Sequence, residues 1–139
     1  MKRIMALDAG DKRIGVAVSD PLGITAQGLT VLENTPAVFD EIAGLCRQYG
    51  VKRIVLGLPR NMNYSLGPRA EWTKEFGEKT AAATGLPVVY EDERLTTAAA
   101  NRVMLEADLS RGKRRKVIDK MAAVLILQSY LARGEKNDG

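Results

Sequence analysis

Histidine is absent from this chain of 139 residues, and cysteine occurs once, as Cys46. A Ser-His-Asp or Cys-His nucleophile is therefore impossible, and a tetrahedral zinc site lacks its ligands. Any metal held here must be bound through oxygen, which points to magnesium or manganese. A single cysteine excludes an internal disulfide and fits a reducing compartment. No run approaches the roughly 18 apolar residues of a membrane span, and no signal-peptide cleavage pattern opens the chain, so the expected location is the cytoplasm. No internal repeat or change in composition marks a second domain, and one domain over residues 1–139 is expected, with a frayed polar tail from Gly134 to Gly139.

What is present is ordinary for a globular protein: 45% apolar and 27% charged residues. The net charge of +4 is unevenly spread. Arg111, Lys113, Arg114, Arg115 and Lys116 lie within six positions; the other 16 basic residues face 17 acidic ones. A near-neutral domain with one basic patch suits a phosphate backbone, and the run from Leu109 to Lys116 reads as a solvated loop.

The stretch from Ile4 to Asp20 organises the rest. Ile4 to Leu7 is an unbroken apolar run, expected of a central strand buried on both faces, and Asp8 follows it directly. Gly10 permits a tight turn and leaves room for something to come close. Beyond it, large Ile14, Val16 and Val18 alternate with small Gly15 and Ala17, the pattern of a strand with one face closely covered. Pro21 and Gly23 mark a turn, with Asp20 as a turn residue. A third strand from about Thr25 to Leu32 follows, interrupted by Gly28. Such short connections imply antiparallel neighbours.

Thr35-Pro36 reads as a helix cap and first turn, followed by Val38, Ile42, Leu45, Cys46 and Tyr49 at helical spacing and by Gly50 as the stop. Val51 to Leu56 is a strand leading to Gly57-Leu58-Pro59, parallel to its neighbour because a helical crossover precedes it. A loop from Pro59 to Gly67, containing Asn61, is expected over the mouth of the sheet. Pro68 opens a helix carrying Trp72 and Phe76, best read as core, and Gly85 ends it. Leu86 to Tyr90 is the fifth strand and runs into Glu91-Asp92-Glu93-Arg94. A helix capped by Thr96 or Thr97 continues to about Ala107. The last helix, from about Val117 to Ala132, places Ile118, Met121, Leu125, Leu127 and Leu131 on its apolar side.

The expected fold is α/β: a five-stranded mixed sheet, three antiparallel strands then two parallel, with helices on both faces. Ligands bind such sheets at the carboxyl ends of the parallel strands, where Asp8 and Glu93 can meet. Asp119 shares a helix face with Ala122, Ala123 and Ile126, a face built for close approach. Three inward carboxylates from three elements can bind one or two hard divalent ions, which activate water and stabilise the leaving oxygen in phosphodiester hydrolysis.

These motifs, Asp8-Ala9-Gly10 with Arg13-Ile14-Gly15-Val16-Ala17, Gly57-Leu58-Pro59, Asp92-Glu93-Arg94-Leu95-Thr96-Thr97, and Ile118-Asp119 with Ala122-Ala123, together resemble the YqgF/RuvX family over nearly the whole chain. That family comprises small RuvC-like nucleases with the ribonuclease H-like fold, described as Holliday-junction resolvases or as nucleases maturing the precursor of 16S ribosomal RNA. The resemblance implies Asp8, Glu93 and Asp119 as catalytic, metal-holding carboxylates. The substrate candidates are Gly10, Arg13, Asn61, Arg94, Arg111, Lys113, Arg114, Arg115 and Lys116. Arg13 and Arg94 are equally readable as structural ion-pair partners. Where relatives commonly read Asn-Met-Asp-Gly-Ser, this chain has Asn61-Met62-Asn63-Tyr64-Ser65, without the glycine and the charge. Two competing readings stand beside this one. Sugar kinases, actin and heat-shock chaperone ATPases share the opening motif but need two such domains, and a non-catalytic RNA- or ribosome-binding module fits the same fold. Nucleic acid is the expected partner, bound by a monomer or a homodimer.

Overall fold

The computed structural model describes residues 3–59, 67–92 and 111–133, without the side chains of 111–117. Its elements run β1 (Arg3–Ala9), β2 (Arg13–Ser19), β3 (Ala26–Glu33), α1 (Val38–Tyr49), β4 (Val51–Leu58), α2 (Pro68–Thr84), β5 (Val88–Asp92) and α3 (Arg111–Ala132). The five strands form one sheet in the order β3-β2-β1-β4-β5. β1 pairs antiparallel with β2 and parallel with β4; β2 and β3 are antiparallel, β4 and β5 parallel.

β1 lies at the centre, and its alternating side chains feed two cores. Met5 and Leu7 pack with Val38, Ile42, Cys46 and Phe76 under α1 and α2. Ile4 and Ala6 pack with Ala123, Ile126 and Leu127 under α3. Both faces are covered, so the strand is apolar throughout instead of alternating with polar residues. Each large aliphatic side chain buried here contributes about 1.5–3 kcal/mol.

The two faces differ in how closely their helices approach. On the α1 and α2 side β2 presents Ile14, Val16 and Val18, all buried. On the α3 side it presents Gly15 and Ala17, and α3 answers with Ala122 and Ala123, at most 1% exposed. A Cβ on Gly15 would stand 1.9 Å from the carbonyl oxygen of Asp119. Helix backbone therefore rests directly on strand backbone at this point, as the small-residue alternation of β2 predicts.

Several boundaries differ from the sequence expectation. α1 begins at Val38, after a turn in which the Thr35 hydroxyl accepts a hydrogen bond from the Ala37 N–H at 3.2 Å. Thr35 thus shapes the approach to the helix without capping it. Gly50 and Gly85 end α1 and α2 in left-handed conformation, φ 64° and 71°. β5 starts at Val88 because Pro87 has no N–H to offer the ladder; its carbonyl instead accepts from Ile54 at 3.0 Å. The strand then extends through Glu91 and Asp92, which pair with Gly57 and Leu58.

The largest correction concerns the basic run, which is helical from Arg111 onward and not a loop. Lys and Arg are good helix formers and Gly112 alone weakens the stretch. Along α3, Met121 is 39% exposed while Ala122 and Ala123 are buried. Close approach of helix to sheet selects the small residues and turns the long one outward. The irregularity near Gly28 is real: the β2–β3 register shifts between Val16 and Ala17, whose partners are Thr30 and Gly28. At the far end of this hairpin Asp20 Oδ1 accepts the N–H groups of Ile24 and Thr25 at 2.7 and 2.9 Å. These bonds, Thr25 foremost, hold its carboxyl below the ordinary range. Asp20 is a turn residue.

Candidate active site

Asp8 is the last residue of the buried segment of β1 and alternates with Ile4 and Ala6, so its side chain belongs to the α3 face. It is 9% exposed. Directly across the antiparallel ladder its partner is Gly15, the residue on which the Asp119 backbone rests. Asp8 from the sheet and Asp119 from α3 therefore flank one glycine, whose missing side chain lets the backbone of α3 approach the strand beside Asp8.

Arg13, at the start of β2, reaches Asp119 from the turn side. Its Nε donates to Asp119 Oδ2 at 2.7 Å, with both side chains largely covered. Arg13 thus orients a candidate catalytic carboxylate through an ion pair. The turn between β1 and β2 is tied on several sides. Gly10 N–H donates to the Arg13 carbonyl at 2.9 Å, Asn34 N–H to the Lys12 carbonyl at 2.9 Å, and Asn34 Nδ2 to the Gly10 carbonyl at 2.9 Å. A Cβ on Gly10 would stand 2.8 Å from the Arg13 carbonyl oxygen, so glycine is required for this closure. From α2, Arg69 donates to the Ala9 carbonyl at 2.9 Å and to Asp11 Oδ1 at 2.7 Å.

The RuvX family model, described as Holliday junction resolvase, matches residues 2–133. The chain belongs to the RuvX family. It is 61% identical over 132 residues to a protein of Pelotomaculum thermopropionicum, covering 93% of this chain and 86% of that one. It is 58% identical over 137 residues to a protein of Moorella thermoacetica, covering 97% and 98%. Both carry the name "Putative pre-16S rRNA nuclease". Among solved structures, RuvC of Thermus thermophilus in complex with a Holliday junction substrate superposes with a TM-score of 0.60 at 14% identity, over 97% of this chain and 98% of that one. The fowlpox virus Holliday junction resolvase gives 0.51 at 17% identity, over 94% and 99%. At such identities the likeness is one of fold: this RuvX chain has the RuvC-like, ribonuclease H-like architecture.

Glu91 is a carboxylate of this RuvX chain that the local sequence does not single out. It is fully buried, and it pairs across β4 with Gly57 on the α3 side of the sheet. Ser129 Oγ donates to its Oε2 at 2.7 Å, and Arg133 binds its Oε1. This carboxylate anchors the C-terminal end of α3 to β5, while Arg13 and Asp119 anchor the helix near its middle. Asn34 and Arg69 are likewise not singled out. Their partners lie in a distant turn, and nothing in one sequence announces them.

Of the remaining candidates, Glu93, Arg94 and Asn61 lie outside the described residues. Arg111, Lys113, Arg114, Arg115 and Lys116 occupy the first turns of α3. Arg111 precedes Asp119 by two helical turns, about 12 Å along the axis. Among the described residues no cluster of three or more potential metal ligands is formed; Asp8 and Asp119 are the two candidates whose backbones are brought to the same glycine. Their chemistry fits a hard cation, since both are carboxylates. Cys46 sits in the opposite core, where burial pushes its thiol up to about 11.

Proposed function

We propose that this protein is a divalent-metal-dependent endonuclease that processes the 5′ end of pre-16S rRNA. The observation that carries the reading is the placement of Asp8 beside Gly15 on β1 and of the Asp119 backbone over that same glycine, in a chain whose relatives are named "Putative pre-16S rRNA nuclease". Asp8 and Asp119 would hold Mg2+ or Mn2+, with Glu93 as the third carboxylate. When bound, such an ion supplies activation of water and stabilisation of the leaving oxygen. Arg13 keeps Asp119 in place. The pinned turn at Gly10 keeps the Asp8 end of β1 rigid, and the basic start of α3 meets neighbouring phosphates. Rigid elements of this kind hold catalytic groups more accurately than loops do.

A second substrate is favoured by the family description, that of a Holliday junction resolvase. The same carboxylates would serve, but symmetric cutting of a junction calls for two active sites and hence a dimer, whereas RNA trimming works in a monomer. No helix among the described residues is long and apolar enough to cross a membrane, and a precursor-rRNA nuclease would work in the cytoplasm. The test is side-by-side cleavage of precursor 16S rRNA and a four-way DNA junction, each with Mg2+ or Mn2+. Specific cutting of the RNA near the mature 5′ end supports the proposal. Efficient cutting of the junction alone replaces it with the resolvase reading, and cutting of neither leaves the binding-module reading.

A further inference from the structure

Arg69 is held in a way that an ordinary surface arginine is not. Its guanidinium lies 4.0 Å over the ring of Trp72. Trp72 stacks on Phe76 at 5.6 Å, and Phe76 meets Phe39 at 4.9 Å. Phe76 is buried, so a continuous stack runs from the core to the guanidinium. A second restraint is the bond from Arg69 to the Ala9 carbonyl, one residue beyond Asp8. The remaining partner is of another kind: Asp11, whose side chain is 80% exposed.

We propose that Arg69 is a phosphate-binding residue of the nucleic-acid site and that Asp11 is an internal stand-in, displaced when a phosphodiester binds. The inference rests on the nuclease reading and adds to it a phosphate subsite on the α2 side of Asp8, across from Arg13 and Asp119. An exposed ion pair contributes only about 0–1 kcal/mol, so exchanging Asp11 for phosphate costs little. The Ala9 carbonyl and the Trp72 ring stay in place during the exchange and keep the guanidinium plane aimed. The planar fork is pre-oriented: Nη2 stays on the Ala9 carbonyl while Nη1, released from Asp11, makes a charge-assisted bond to a phosphate oxygen. A compact lysine ammonium would lack both the stacking and the fork. In the free protein Asp11 Oδ1 offers Nη1 a like charged oxygen at 2.7 Å and screens the site from weak anions.

The test is binding of a fluorescein-labelled single-stranded RNA in EDTA, where no cleavage occurs, followed by anisotropy across a salt series. Asp11→Asn should bind about 3–10-fold tighter than wild type. Arg69→Ala should bind about 3–10-fold more weakly, and its salt slope should fall by about 0.7, one phosphate contact on a single strand. Arg69→Lys should lie between. In the Arg69→Ala background, Asp11→Asn should gain much less than it does in wild type. An equal gain in both backgrounds would show that Asp11 acts by net charge alone and would overturn the inference, as would an unchanged slope in Arg69→Ala. Should Arg69→Ala fold poorly, Arg69→Gln, which keeps a polar side chain of similar length without the charge, serves as the second background, and an Asp11→Asn gain there equal to that in wild type overturns the inference. A wild-type protein that binds no RNA in EDTA overturns this inference, and one that in addition cleaves no RNA in Mg2+ or Mn2+ overturns the nuclease reading along with it. Binding with equal gains would overturn this inference alone.

Discussion

Gly15→Ala tests the close approach on which the whole site depends. The added methyl would stand 1.9 Å from the Asp119 carbonyl oxygen, 2.5 Å from its carbonyl carbon and 3.3 Å from the Lys120 nitrogen. Real Cβ contacts essentially never fall below 3.0 Å, so the gap is short by more than about 1 Å. All three neighbours are backbone atoms, and no change of rotamer can relieve the clash. β2 cannot sink away, because Ile14 and Val16 are fully buried against the other core. α3 must lift. Overpacking of this kind costs about 1–3 kcal/mol, and a chain of this size loses roughly 3–5 °C of Tm for each kcal/mol.

Lifting α3 has a second effect. Asp119 moves by about 1 Å relative to Asp8, a displacement that costs on the order of 100-fold in rate when catalytic groups are misplaced. Gly44→Ala is the matched control. It lies mid-helix in α1 and its methyl would meet only the Arg47 guanidinium, at 3.9 Å. It should stabilise by about 0.5–1 kcal/mol. Thermal melts of the two variants, with single-turnover cleavage of precursor rRNA, measure both effects. Wild-type melting and wild-type cleavage in Gly15→Ala would refute the direct helix-on-strand contact. A lowered Tm with full activity would separate that contact from catalysis.

Other consequences are open to shorter tests. Replacing Arg111, Lys113, Arg114, Arg115 and Lys116 by alanine should keep α3 helical, since alanine is the best helix former; it should weaken RNA binding and flatten its salt dependence, and an unchanged slope would remove this run from the interface. Glu91→Gln should cost about 1–3 kcal/mol by weakening a buried bonding network. Amide exchange should then quicken around Ser129, and unchanged exchange there would show that Glu91 does not anchor α3. The Cys46 thiol is pushed up to about 11 from an ordinary 9.0 by burial. The unfolded chain thus loses this proton first, and stability is full below about pH 9 and declines as pH rises toward 11. Burial raises Tyr90 in the same direction. Tm measured at about pH 8 and pH 10.5 should therefore differ less in Cys46→Ala than in wild type; an equal difference would exclude the thiol as a contributor.

How much of this was legible without coordinates depends on the range of the interactions. The buried strand before Asp8 and the large-small alternation of β2 are local patterns, and they correctly announced a central strand and a closely covered face. Ala122 and Ala123 beside Asp119 told the same story from the helix side. The same logic applied to Met121 would have shown that it points outward, but hydrophobicity alone placed it inside. Glu91 looked like one more acid in a charged run, because the Ser129 and Arg133 that permit its burial lie 38 and 42 positions away. Arg69 meets Asp11 across 58 positions, and no local pattern anticipates such a contact. Clustered charge in the basic run suggests a solvated loop, but helix propensity and continuity with the docked part of α3 outweigh that repulsion.

The most direct measurement is the single-turnover rate of precursor 16S rRNA cleavage by Asp8→Asn beside wild type, in Mg2+ or Mn2+, with circular dichroism confirming that both are folded. The substitution keeps the shape of the side chain and removes its charge, so a carboxylate that holds the metal predicts loss of divalent-dependent cleavage in a folded protein. Undiminished cleavage by Asp8→Asn would contradict the account at its centre.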